Sequence, residues 1–188
     1  MAEARTPRPG TYQDILDAPE NLVAELLSGE LHLSPRPANR HSRASSRIGI
    51  GLGPFDNDPG GDDPGGWVIL FEPELHLGAD VLVPDLAGWR RERMPEIPDR
   101  VGFTLAPDWV CEVASPSTRR LDRMLKLPIY RAAQVAWVWL VDPVTETVEV
   151  YQGEGPRWIV AATAVGPGPV NLPPFEAVTL DPGRWFAR

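Results

Sequence analysis

The stretch that most constrains this chain runs from Val83 to Tyr130 and reads VPDLAGW, then PDWVCEVASPST, then RRLDRMLKLPIY. In WVCEV the strand period puts Asp108, Val110 and Glu112 on one face and Trp109, Cys111 and Val113 on the other. A carboxylate in so apolar a run is costly to bury unless it is paired or holds a metal. Glu112 therefore demands a partner. So does Asp85, which stands in a second apolar run, VLVPDLAGW. Pro84 cannot donate to a ladder, so that run must place it at an edge, a bulge or a strand start, and a bulge there re-aims Asp85.

Ser117 or Thr118 is placed to cap a helix that continues as RRLDRMLKLPIYRAA. Asp122, Lys126 and Tyr130 recur every four residues along it, beside the packing stripe Leu121, Leu125 and Ile129. Because the helix follows directly on the Glu112 strand, Lys126 can lean over the strand's end. An ordinary Asp122–Lys126 surface pair explains the same spacing. Pro128 predicts that the rigid helix ends just after Lys126 or that Tyr130 is bent out of line. Two carboxylates and one amine at a sheet edge suit a divalent metal facing a phosphate ester.

The flanking segments supply the rest of the sheet. Residues 1–10 read as a flexible arm and TYQDILDAP as a short helix ended by Pro19. LVAELLSGELHLSP is a hairpin around Ser28-Gly29, with Glu25 on the same face as Val23 and Leu27, as a strand-end ion pair or as part of the site. WVILFEPELHLG is a two-strand pattern, RRERMPEIPDR a charged surface loop, VAWVWLVDP a buried strand, and TETVEVYQGEGPRWIVAAT a hairpin. Trp137 and Trp139 share parity and belong to the core face. The C-terminal VNLPPFEAVTLDPGRWF carries one short strand and an aromatic turn.

Charge and spacing narrow the function. RPANRHSRASSR holds four arginines and no acid in a chain of net charge -8. With Asn39 as cap, Arg40, Arg43 and Arg47 fall on one helix face, either a solvated surface or a grip for a phosphate backbone, and His41 shares the segment. The overall acidity excludes a generic nucleic-acid coat but not a local basic face. GPFDNDPGGDDPGG carries Asp56, Asp58, Asp62 and Asp63 but puts Gly60 and Trp67 where an EF-hand needs ligands, so it reads as a mobile acidic loop. The one cysteine, Cys111, excludes a disulfide framework and a cysteine metal cluster. No apolar run is long enough for a membrane helix and MAEARTPRPG has no signal core, which predicts a cytoplasmic protein.

These residues carry a family resemblance. ELLSGELHLSPRP, a helix with His41, VPDLAG, WVCEVASPST, LDRMLKLPIY and VAWVWLVDP together resemble the Uma-two family within the PD-(D/E)XK nuclease superfamily, from about Tyr12 to Phe186. The resemblance implies an α/β (α+β) fold with a restriction-endonuclease-like mixed sheet flanked by helices and additional antiparallel hairpins. It implies one domain over residues 11–188, Asp85 and Glu112 as metal ligands, and Lys126 in the role of a lysine that Ala114 replaces two residues after the glutamate. Glu25 matches an early glutamate of these nucleases. The sequence departs from the pattern at Ser28, Gln134, Trp137 and Pro128.

The chemistry that follows is phosphodiester hydrolysis in DNA with Mg2+ or Mn2+ on Asp85 and Glu112. Lys126 orients water or neutralises a non-bridging oxygen, Glu25 reaches the metal through water, and Arg40, His41, Arg43 and Arg47 hold the backbone. Asp122 and Tyr130 support the site. A homodimer is expected by analogy with enzymes that cut both strands. The rival readings are a non-catalytic nuclease-fold binding protein, which the net charge favours, and a metal-dependent hydrolase of another phosphate ester.

Overall fold

The structure, a computed structural model, describes residues 8–58 and 61–186. In chain order these form α1 (Tyr12–Leu16), β1 (Leu22–Leu27), β2 (Glu30–Pro35), α2 (Asn39–Leu52), β3 (Trp67–Phe71), β4 (Leu75–Leu77), β5 (Asp80–Leu82), β6 (Leu86–Arg90) and β7 (Trp109–Val113). There follow α3 (Arg119–Leu121), a π-helical turn (Asp122–Lys126), α4 (Leu127–Ala132), β8 (Trp137–Asp142), β9 (Thr147–Glu154), β10 (Arg157–Val165) and α5 (Gly183–Phe186). Most of the expected flexible arm lies outside the described residues. Its described end is tied down by Gly10 N–H donating to the Gly29 carbonyl.

The strands make two sheets, one of four in the order β2-β1-β5-β4 and one of six in the order β10-β9-β8-β7-β6-β3. The larger sheet is mixed, because β7 and β8 run parallel while its other neighbours are antiparallel. A parallel pair needs a crossover, and the α3–α4 helical segment supplies it. The mixed sheet with its helices and antiparallel hairpins is the fold class that the resemblance implies.

Alternation along β7 and β8 builds a core on each sheet face. Trp109, Cys111, Val113, Trp139 and Val141 pack with Ala44, Ile48 and Leu52 of α2 and with Phe175 and Trp185 of the C-terminal segment. Val110, Val138 and Leu140 pack on the other face with Leu127, Ile129 and Tyr130 and with Leu27 and Leu82 of the small sheet. Trp137 packs against the first core, as its parity predicts. Gly88 is squeezed between aromatic rings, since a Cβ there would lie 3.1 Å from Trp109 and 3.2 Å from Trp67.

Both hairpins form. Ser28 and Gly29 take φ of 54° and 83°, the left-handed pair of a tight primed turn. The second hairpin joins β9 to β10 with a bulge between Val160 and Ala162. The acidic loop is held at its ends: Asp56 Oδ1 accepts from Ile69 N–H at 3.0 Å, and Arg91 pairs with Asp58 at 3.2 Å.

Three local expectations need correction. VLVPDLAGW is divided between the sheets, β5 in the small one and β6 in the large one. Pro84 has no N–H to offer, and the Val83 N–H donates to the Glu25 carboxylate instead of to a ladder. Asn39 does not cap α2; the cap position is Ala38, and no side chain bonds there. Pro128 neither ends the helix nor displaces Tyr130. The backbone stays in the right-handed helical region through Lys126 and Leu127, and the π turn before the proline accommodates the hydrogen bond it cannot make.

Candidate active site

The crossing at Val83–Asp85, the end of β7 and the π turn converge on a cavity of about 220 Å³ lined by Glu25, His41, Asp85, Glu112, Asp122 and Lys126, among others. Each side chain arrives for a local reason. Leu86 pairs with Cys111, so Asp85 stands one step past the ladder, next to Glu112. Its Oδ2 accepts from Val113 N–H at 2.7 Å, which closes the end of β7. Its Oδ1 lies 3.1 Å from His41 Nε2, on the line of α2 that also carries Ala44 and Ile48. Glu112 leaves β7 on the face covered by the crossover helix, where π winding puts Lys126 and Tyr130 above it.

The contacts are dense. Tyr130 Oη donates to Glu112 Oε1 at 2.5 Å. Lys126 Nζ donates to Glu112 Oε1 and Oε2 at 3.2 and 3.3 Å and lies 2.9 Å from Glu25 Oε1. Glu25 Oε1 also accepts from Val83 N–H at 2.8 Å. Asp122 Oδ1 lies 3.7 Å from Lys126 Nζ, and it is buried without a hydrogen-bond partner among the described residues. Glu25, Glu112, Asp122 and Lys126 are each at most 4% exposed.

Electrostatics follows from that crowding. Four clustered carboxylates, Glu25, Asp85, Glu112 and Asp122, face Lys126 and His41, and Glu72 and Arg36 also line the cavity, so full ionisation leaves two negative charges in excess. Burial first, then repulsion from Asp122, Asp85 and Glu25, raises the Glu112 carboxyl well above the usual range, although Lys126 pulls it down. Burial likewise raises Asp122 to about 6 against the pull of Lys126. Burial opposes charge on Lys126, but Glu112, Glu25 and Asp122 together hold it firmly protonated. Burial also opposes charge on His41, and Asp85 more than reverses it.

Among the described residues, no three His, Cys, Asp or Glu side chains converge into a complete metal ligand set. A hard cation that takes one or two carboxylates and completes its shell with water needs no such set. The surplus of negative charge and the orphaned Asp122 oxygen both agree with such an occupant.

Glu25, His41, Asp85, Glu112, Asp122 and Lys126 thus come together, and Tyr130 buttresses Glu112 from the helix. The arginine stripe does not join them. Arg40 and Arg43 are exposed on α2. Arg47 lines a separate cavity against Leu180 and Trp185. Sequence reasoning missed Arg36, Ser115 and Glu72 as lining residues. Arg36 lies in a proline-rich link without periodicity, and Ser115 sits in a stretch that reads as a helix cap.

A mixed sheet whose parallel pair carries a buried cluster of carboxylates and one lysine places the chain in the restriction-endonuclease-like class. The chain belongs to the Uma2 family, described as "Putative restriction endonuclease", whose family model matches residues 10–182. It is similar in fold to the crystal structure of a "putative nuclease belonging to DUF820" from Anabaena variabilis, at 23% identity and a TM-score of 0.72. That match covers 95% of this chain and 98% of the other. No curated protein matches the sequence. No helix among the described residues is long and apolar enough to cross a membrane.

Proposed function

We propose that this protein is an endonuclease that hydrolyses phosphodiester bonds in DNA with Mg2+ or Mn2+. The observation that carries this reading is the buried cluster of four carboxylates against two basic groups, an excess of acid over base, in a chain of a nuclease family. Asp85 and Glu112 would hold the cation, with Glu25 or Asp122 reaching it through water. When bound, the cation lowers the pKa of an attacking water and stabilises charge on the transition state.

The chain's own residues do the rest. Lys126, already fixed by Glu25 and Glu112, presents an ammonium that neutralises a non-bridging phosphate oxygen. Tyr130 holds Glu112 in orientation, and His41 holds Asp85. The same reading takes residues 11–188 as one domain and the protein as a cytoplasmic homodimer with one site per subunit.

The test is a cleavage assay on single-stranded, duplex and branched DNA with Mg2+ or Mn2+. Wild type cuts at least one substrate, while Asp85→Ala and Lys126→Ala cut none and keep a cooperative unfolding transition. A wild type that cuts nothing refutes the reading. A second reading, a non-catalytic nuclease-fold binding protein, is favoured by the net charge of -8. It predicts that same absence of cutting together with retained binding to a partner.

A further inference from the structure

The cavity described above does not end at its acidic floor. Val23, Arg36, Glu72 and Val83 line it and also line a second cavity of about 280 Å³, so these four residues stand between the two. The second cavity has an apolar wall from Ile15, Ala18 and Leu22 and acids at Glu20 and Glu74. Arg36 is exposed. Its one hydrogen bond among the described residues runs from Nη2 to the Glu20 carbonyl at 3.1 Å, and no carboxylate there lies within ion-pair distance. Most donors of its fork therefore remain available.

We propose that Arg36 and the cavity behind it form a subsite for one unpaired nucleotide beside the scissile phosphodiester, so that the substrate class is single-stranded or frayed DNA. The proposal rests on the nuclease reading and deepens it. A guanidinium with free donors is a bidentate partner for a phosphate. Arg36 is the one arginine that lines both cavities, which makes it the place for the phosphate charge. In the second cavity the apolar wall takes a base face, and Glu20 and Glu72 accept from exocyclic amines. A base inside such a cavity cannot at the same time be paired in a duplex. Arg40 and Arg43 line neither cavity.

The experiment is fluorescence anisotropy with the full chain, with Ca2+ as the oxygen-liganded cation and gels to verify that nothing is cut. The probes are a short single strand, the blunt duplex of the same sequence, and that duplex with a single-stranded tail. The expected result is that single strand and tailed duplex bind about tenfold more tightly than blunt duplex, the scale of burying about 55 Å² of apolar base surface. Arg36→Ala weakens single-strand binding about tenfold and lowers the slope of log K against log salt by about 0.7, the value for one single-strand phosphate. Arg36→Lys keeps the slope but recovers only part of the affinity. Arg157→Ala, at an exposed arginine of β10 that lines neither cavity, leaves both unchanged. Ala18→Phe, which fills the cavity, removes the single-strand preference without altering the slope.

Arg36→Ala binding like wild type with wild-type melting, an equal loss in the Arg157 variant, or a preference for blunt duplex overturns the subsite while leaving the nuclease reading intact. Wild type that binds none of the probes and cuts no DNA overturns both.

Discussion

Replacing Asp122 by asparagine tests the electrostatics of the pocket while leaving Asp85 and Glu112, the two direct ligands proposed for the metal, in place. Burial raises the Asp122 carboxyl from 3.8 to about 6, partly offset by Lys126 and reinforced by Asp85 and Glu25. The folded protein therefore keeps this proton up to about pH 6, while the unfolded chain loses it near its ordinary value. Between those limits the native state binds more protons, so stability falls as pH rises through the window. About two pKa units at 1.36 kcal/mol each make the loss about 3 kcal/mol. Asparagine does not titrate, so the variant escapes this term.

Thermal unfolding followed by circular dichroism in metal-free buffer should show Asp122→Asn gaining on wild type by about 3 kcal/mol between about pH 4 and pH 7. At roughly 2–4 °C per kcal/mol for a chain of this size, that is a shift of about 6–12 °C. Millimolar Mg2+ should recover part of the gap for wild type at the upper pH, because a cation supplies the missing charge. A difference between the two proteins that does not change with pH refutes the reasoning, since the buried carboxyl would then carry no unusual proton.

Other perturbations separate the parts of the site. Tyr130→Phe removes the 2.5 Å hydrogen bond to Glu112 and should cost about 1–3 kcal/mol in denaturant unfolding. Loss of that donor also raises the Glu112 pKa further, so the acid limb of the cleavage profile should move to higher pH; an unmoved limb contradicts the role. Lys126→Met leaves Glu25, Glu112 and Asp122 without their shared cation. It should destabilise by about 3–5 kcal/mol near neutral pH and by less in acid, and a pH-independent loss would argue against it. Gly88→Ala forces a Cβ against Trp109 and Trp67 and should cost about 1–3 kcal/mol by the same measurement. Its metal affinity should not change.

The parts of the fold legible in the sequence were those written in short-range periodicity. The alternation of WVCEV assigns Trp109, Cys111 and Val113 to one core and Val110 to the other. The Ser-Gly and Gly-Glu-Gly turns mark the hairpins. Glu112 announced itself as an acid in an apolar run, and the structure gives it Lys126 and Tyr130. The closure of Lys126 onto Glu25 was not legible, because it joins strand and helix across about a hundred residues with no local pattern. The π turn that keeps Tyr130 in line despite Pro128 has no periodic signature either. The division of VLVPDLAGW between two sheets depends on Glu25 capturing the Val83 N–H, a contact between distant segments. Periodicity placed Arg40, Arg43 and Arg47 on one helix face but could not say that this face turns away from the acidic cavity.

Whether the pocket holds a divalent cation is decided by titration calorimetry with Mn2+ on the wild-type protein, beside Asp85→Asn and Glu112→Gln. The account predicts saturable binding by wild type, accompanied by proton release because the raised Glu112 carboxyl must ionise to accept the metal, and loss of that binding in both variants. Wild type that binds no Mn2+, or variants that bind it as wild type does, would contradict the claim that the surplus acid of this pocket holds a divalent cation.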